Sequence, residues 1–248
     1  MSVTVDNAAM TSLALILFLG LLAGLANLGG GLLLLKSGAQ RYLHAFVAFG
    51  AGFLIAVAIV EMLPESFHLA PLMAPFWILG GFCGVHLLEH TLVSHFHFGE
   101  ETHTDEFIHA GTAYSLTFGL AAHTFFDGVA IASGFAFSGK LGWLIFAGVL
   151  LHKLPEGFTV ASVMLASGQG KRPAVLAAAL LGASTLAGVI AIRALPTLAH
   201  YGLPVSAGVA LYVAATDLLP EVNRQSGLQY RLLFLLGVAT MVLLGQIS

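Results

Sequence analysis

The sequence predicts an all-α, polytopic membrane protein with eight transmembrane helices, inverted repeats in a 3+2+3 arrangement, and both termini on the outer side. Three observations lead there. Of the 248 residues, 58% are hydrophobic and only 8% are charged, against about 25% charged in an ordinary soluble domain. So few polar groups cannot cover so much apolar surface in water. Apolar runs recur at about the 20-residue length that crosses a bilayer. Two segments also recur in helices that must run in opposite directions.

The apolar runs fall at about 10–34, 43–64, 72–94, 111–136, 141–166, 173–195, 203–220 and 229–247, and make one transmembrane domain over 1–248. Turn and polar residues separate them: Lys36-Ser37-Gly38, Glu65 to Pro71, His95 to His109, Ser138-Gly139-Lys140, Gly168 to Pro173, Pro196 to Pro204, and Glu221 to Gln229. Most of these connections are short, so neighbouring helices are antiparallel. Lys36, Arg41, Lys171, Arg172, Arg224 and Arg231 then collect on one side, and Lys140 and Arg193 on the other. The positive-inside bias makes the first side cytoplasmic. That puts the N-terminus outside and the 95–109 loop inside. Cys83 is the only cysteine, which excludes an intrachain disulfide and a thiolate metal cluster; it is expected as a small core residue. No basic surface suggests nucleic acid as a partner. Residues 1–7 lack a basic n-region, so no cleaved signal peptide is expected, and a bacterial inner membrane suits the chain.

The first repeat pairs HTFFDGVAIAS (123–133) with HKLPEGFTVAS (152–162), with His, Gly, Ala and Ser identical and Asp127 matching Glu156. The second pairs AGFLIAVAIVEMLPE (51–65) with AGVALYVAATDLLPE (207–221), with seven identities and Glu61 matching Asp217. Each pair joins helices of opposite direction, the inverted-repeat pattern of secondary transporters with a site near the midplane.

His123 and Asp127 are four residues apart and project from one helix face, as do His152 and Glu156 on the next helix. Each set lies near the middle of its span. A charged group there costs at least about 2.5–3.5 kcal/mol on insertion scales, so four ionisable groups at one depth need compensation. A divalent cation supplies it, and two imidazoles with two carboxylates suit zinc or a similar first-row metal. Gly128 and Gly157 follow the acids and allow close helix approach. Pro155 removes a ladder bond, frees the Leu151 carbonyl and is expected to kink the helix.

HTFFDG followed by HKLPEG resembles the signature of the ZIP family of metal-ion transporters, whose fourth and fifth helices read roughly His-Asn-x-x-Asp/Glu-Gly and His-Glu-x-Pro-x-Glu. The helix count, the His-rich loop and the Leu-Pro-Glu endings of helices two and seven are similar to that family as well. The resemblance implies alternating access, Zn²⁺ as leading substrate with Fe²⁺, Mn²⁺ or Cd²⁺ as other candidates, import toward the cytoplasm, and a homodimer. By motif position, His123, Asp127, His152 and Glu156 match the first of two metal positions in many bacterial members. The second normally needs Asn after the first His and an acid after the second. Thr124 and Lys153 stand there, and the sixth helix offers only Ser184 and Thr185. One central metal is therefore expected, with the Lys153 ammonium in place of the other.

Glu61 and Glu65 at the outer mouth, and Asp217 and Glu221 at the inner one, are candidates for concentrating and releasing cations. His95, His97, His103 and His109 in the inner loop are candidates for metal capture. The alternative functions are a membrane zinc hydrolase using His86, Glu89 and His90, which match H-x-x-E-H, and a proton-coupled carrier of another solute. The former would make the chain an enzyme; the leading reading does not.

Overall fold

The computed structural model describes residues 13–33, 40–92 and 110–246. Among them are eight helical rods and no strand. Helix α1 is Leu13–Leu33. Helix α2 spans 40–69: Gln40–Val57, a π-helical turn at Ala58–Met62, then Leu63–Leu69. Helix α3 is Ala74–Leu92, α4 is Ala110–Phe137, α5 is Gly139–Ala166 and α6 is Lys171–Ala194. A 3₁₀ turn at Pro196–Leu198 leads into α7, which spans 199–224 with a π-helical turn at Val213–Leu218. Helix α8 is Leu228–Gln246. Seven rods are long and apolar enough to cross a membrane, and α3 supplies a shorter apolar stretch, Ala74–Glu89. The chain is a multi-pass membrane protein.

Local chemistry explains several boundaries. Ser138 caps α5, its Oγ accepting from Leu141 N at 3.2 Å. Gly168, with φ +79°, closes the same helix in the left-handed conformation that favours glycine. Three boundaries differ from the sequence expectation. Helices α2 and α7 do not stop at Leu-Pro-Glu but continue through it. In each, the π turn comes immediately before the proline: Leu63 N bonds Ala58 O and Leu219 N bonds Ala214 O, five residues back. The widened turn resets the ladder where Pro64 and Pro220 lack a donor, and the helix resumes with proline in its first turn. Helix α7 also starts before residue 203, with Pro204 inside its first turns. Helix α5 runs unbroken through Pro155.

The packing has the symmetry that the repeats anticipate. Exchange α1 with α6, α2 with α7, α3 with α8 and α4 with α5, and the contacts map onto one another. Thus α1 packs on α5 and α6 on α4; α2 packs on α5 and α7 on α4; α2 packs on α8 and α7 on α3. The register holds at single residues. Gly157 lies against the Asn27 carbonyl and Gly128 against the Thr185 carbonyl. Gly30 lies against the Leu154 carbonyl and Gly188 against that of Phe125, while Gly24 and Gly182 face each other at the α1–α6 crossing. A Cβ at Gly128 or Gly157 would overlap those carbonyls. These glycines therefore bring α6 and α1 against the central pair, rather than α4 against α5.

Large apolar side chains on α1, α3 and α8, among them Phe18, Leu79, Leu87, Leu235 and Leu243, are exposed on the outside of the bundle. Cys83 is exposed as well, which corrects its expected core placement: one face of α3 is left uncovered by other helices. The helix ends sort onto two faces. His44–Glu221 and Tyr114–Gln169 contacts mark one face. Lys140 donating to the Gly245 carbonyl, with the Phe137–His200 and Trp77–Tyr201 ring pairs, marks the other.

Candidate metal centre

The i,i+4 spacing on α4 and α5 turns His123, Asp127, His152 and Glu156 toward a common point. Their relative exposures are 2%, 6%, 1% and 2%, and one ligand-type atom from each lies within 4.8 Å of the other three. His123 Nε2 faces Glu156 Oε1 at 2.7 Å as a buried ion-pair contact, and neither atom has a well-aligned hydrogen bond. His152 Nδ1 lies 3.0 Å from the Gly148 carbonyl. A carbonyl only accepts, so this contact places a proton on Nδ1 and leaves the Nε2 lone pair toward the cluster. Nε2 is 3.4 Å from Asp127 Oδ2. Imidazole nitrogens and carboxylate oxygens that converge on one buried point are an arrangement a cation would stabilise.

Lys153 is fully buried, and its Nζ donates to Asp127 Oδ2 at 2.6 Å and to Glu156 Oε2 at 2.7 Å. These are short, charge-assisted hydrogen bonds. Thr124 turns its hydroxyl back to the Ala121 carbonyl at 3.0 Å, and Thr185 to Leu181 at 3.3 Å. Neither threonine hydroxyl is held toward the carboxylates.

Three neighbours were not assigned to the centre from the sequence. Asn27 on α1 is fully buried; in the amide orientation that satisfies both its polar atoms, its nitrogen donates to Glu156 Oε2 at 3.1 Å and to the Lys153 carbonyl at 2.6 Å. A polar residue inside an apolar span was the available signal. Glu89 Oε1 approaches His123 Nδ1 to 3.9 Å, and the buried Asp217 is close enough to interact with both.

The remaining candidates lie apart. Among the described residues, only His123, Asp127, His152 and Glu156 form a group with metal-ligand spacing. Glu61 and Glu65 are half-buried on α2. Glu221 accepts from Gln225 at 2.8 Å and faces His44 at the end of the bundle. His86 is exposed, its ring edge against Tyr212 at 5.8 Å. Glu89 approaches the central histidine, and the side chain of His90, like His95, His97, His103 and His109, lies outside the described residues.

A multi-pass helical bundle with two buried histidines and two buried carboxylates at its centre defines a class, membrane proteins with a metal-ligand type of donor set inside the bundle. The chain belongs to the ZIP zinc transporter family, whose model matches residues 99–245, more than half of it. It is similar to the zinc transporter ZIP4 of Homo sapiens, at 34% identity over 126 residues, covering 50% of this chain and 20% of that protein. It is also similar to the zinc transporter SLC39A7 of Rattus norvegicus, at 32% over 145 residues, covering 51% and 30%. The zinc transporter zipt-7.1 of Caenorhabditis briggsae is 30% identical over 107 residues, covering 40% and 27%. The matched stretch thus spans less than a third of the length of each of these relatives.

Proposed function

We propose that this chain carries divalent transition-metal ions, Zn²⁺ foremost, across the membrane toward the cytoplasm, through a central site that holds one ion at a time. The observation that carries the reading is the convergence of His123, Asp127, His152 and Glu156 on one buried point, with His123 Nε2 2.7 Å from Glu156 Oε1 and neither atom in a well-aligned hydrogen bond. Family membership and the names of the relatives support the substrate class. Two imidazoles and two carboxylates suit zinc, and admit iron(II), manganese or cadmium.

Lys153 supports the single-metal reading. Its ammonium sits on the carboxylate oxygens that a second cation would use, at 2.6 and 2.7 Å. On this proposal it is a fixed cation that keeps Asp127 and Glu156 compensated while the substrate comes and goes. Glu89, 3.9 Å from His123 Nδ1, and Asp217, which interacts with both, offer the next oxygens on the way to the cytoplasm. The symmetric packing fits alternating access, in which the α1–α6 and α4–α5 group moves against α2, α3, α7 and α8.

The test is metal uptake into proteoliposomes with Zn²⁺, Fe²⁺, Mn²⁺ and Cd²⁺. Wild type takes up Zn²⁺, and His123→Ala or His152→Ala reduces the flux to background. Flux that survives both substitutions refutes the central route.

A further inference from the structure

The two halves of the bundle make matching contacts in register but differ in what their polar side chains do. Thr124 and Lys153 occupy matching positions on α4 and α5, and Thr185 and Asn27 on α6 and α1, each of the last two presenting its carbonyl to a central glycine. Both threonines bond back to their own helices. Lys153 and Asn27 instead donate to the same atom, Glu156 Oε2, at 2.7 and 3.1 Å. The other oxygen, Oε1, is buried without a well-aligned hydrogen bond, 2.7 Å from His123 Nε2. Glu156 is therefore divided, with one oxygen occupied by donors and one left for the ion.

The two donors are not equivalent. An ammonium on a four-carbon stem has three rotatable donors and can follow a carboxylate that turns. The Asn27 amide is short and is itself fixed by its second bond, to the Lys153 carbonyl at 2.6 Å. It also sits where the α1 backbone lies directly against Gly157, the residue after Glu156. Of the two, Asn27 is the donor that holds the plane of the carboxylate.

We infer that Asn27 is a specificity-determining positioning residue: by holding Oε2, it restricts Glu156 to a single donor oxygen and so favours a small four-coordinate cation over one that prefers more oxygens. Zinc is at home in a four-ligand nitrogen and oxygen set. Manganese prefers octahedral, oxygen-rich coordination. A carboxylate free to turn presents both oxygens and raises the coordination number. The inference rests on the central site proposed above and adds a residue from α1, outside the His-x-x-x-acid motifs.

The test is equilibrium binding of Zn²⁺ and Mn²⁺ to the purified full chain in detergent, for wild type and Asn27→Ala. The substitution leaves net charge and all four proposed ligands in place. The expected result is a fall of about ten-fold in the ratio of Zn²⁺ to Mn²⁺ affinity, the scale of one hydrogen bond to a charged group. An unchanged ratio, with zinc bound normally, overturns the inference and leaves the site intact. If Asn27→Ala does not fold, Asn27→Ser, which retains a shorter donor, replaces it: a smaller fall in the same direction supports the inference, and no change overturns it. Loss of zinc binding in His123→Ala and His152→Ala is the separate check on the site. If zinc binding survives there, the central-site reading itself fails.

Discussion

At the scale of single residues, Lys153 sets the electrostatics of the centre. A lysine buried between two carboxylates is stable only while its charge and theirs stay matched, and breaking such a group costs about 3–5 kcal/mol. Lys153→Met should therefore lower the thermal stability of the metal-free protein, with Zn²⁺ restoring more of it than in wild type, as a thermal-shift titration would read. Lys153→Asp should raise the central stoichiometry from one ion to two, measured by elemental analysis of the purified protein. Wild type holding two central ions, or no gain in the variant, would refute the fixed-cation role. Much of this centre was legible in the sequence, because helical spacing alone puts His123 with Asp127 and His152 with Glu156 on common faces. Lys153 was legible as the odd residue in the second motif. Asn27 was not, since its partners lie more than a hundred positions away on another helix, and no local pattern encodes such a contact.

At the scale of helices, the glycines and the π turns decide how the rods meet. Gly157 admits the Asn27 backbone and Gly128 that of Thr185. Gly157→Ala would drive a methyl group into a carbonyl that belongs to a helix and cannot step aside. Overpacking of this kind costs about 1–3 kcal/mol, and here it separates α1 from α5. The expected outcome is loss of most zinc uptake at normal expression level, while Gly80→Ala on α3, where an added Cβ meets nothing within 4 Å, transports as wild type. The role of these glycines was only half legible: a glycine after each acid announced close approach, but not which helix approaches. The ends of α2 and α7 were misplaced for a related reason. Proline removes a donor and ordinarily stops a helix, and in these two rods a preceding π turn, a feature of backbone geometry, resets the ladder so that the rod continues.

At the scale of the molecule, the question is which face meets the cytoplasm. The contacts at the helix ends place Lys140 with Gly245 on one face and His44 with Glu221 on the other. The positive-inside bias assigns the second face to the cytoplasm. A cysteine at Ser138 should react with an impermeant thiol reagent from outside intact cells, and one at Ser167 only after permeabilisation, both in a Cys83→Ser background. The reverse labelling pattern would invert the topology and with it the direction of transport proposed above.

The sequence by itself determined that this chain lives in a membrane, that it is made of apolar helices in inverted repeats, and that histidines and acids share one face midway along two neighbouring helices. These follow from composition, length and period, which are properties of residues near one another along the chain. Only the tertiary structure decided that the repeat extends to α1 and α6, with Asn27 at the place that matches Thr185, and that Asn27 and Lys153 meet at the same oxygen of Glu156. Those facts depend on how rigid rods cross, and the crossing is set by contacts between residues far apart in sequence.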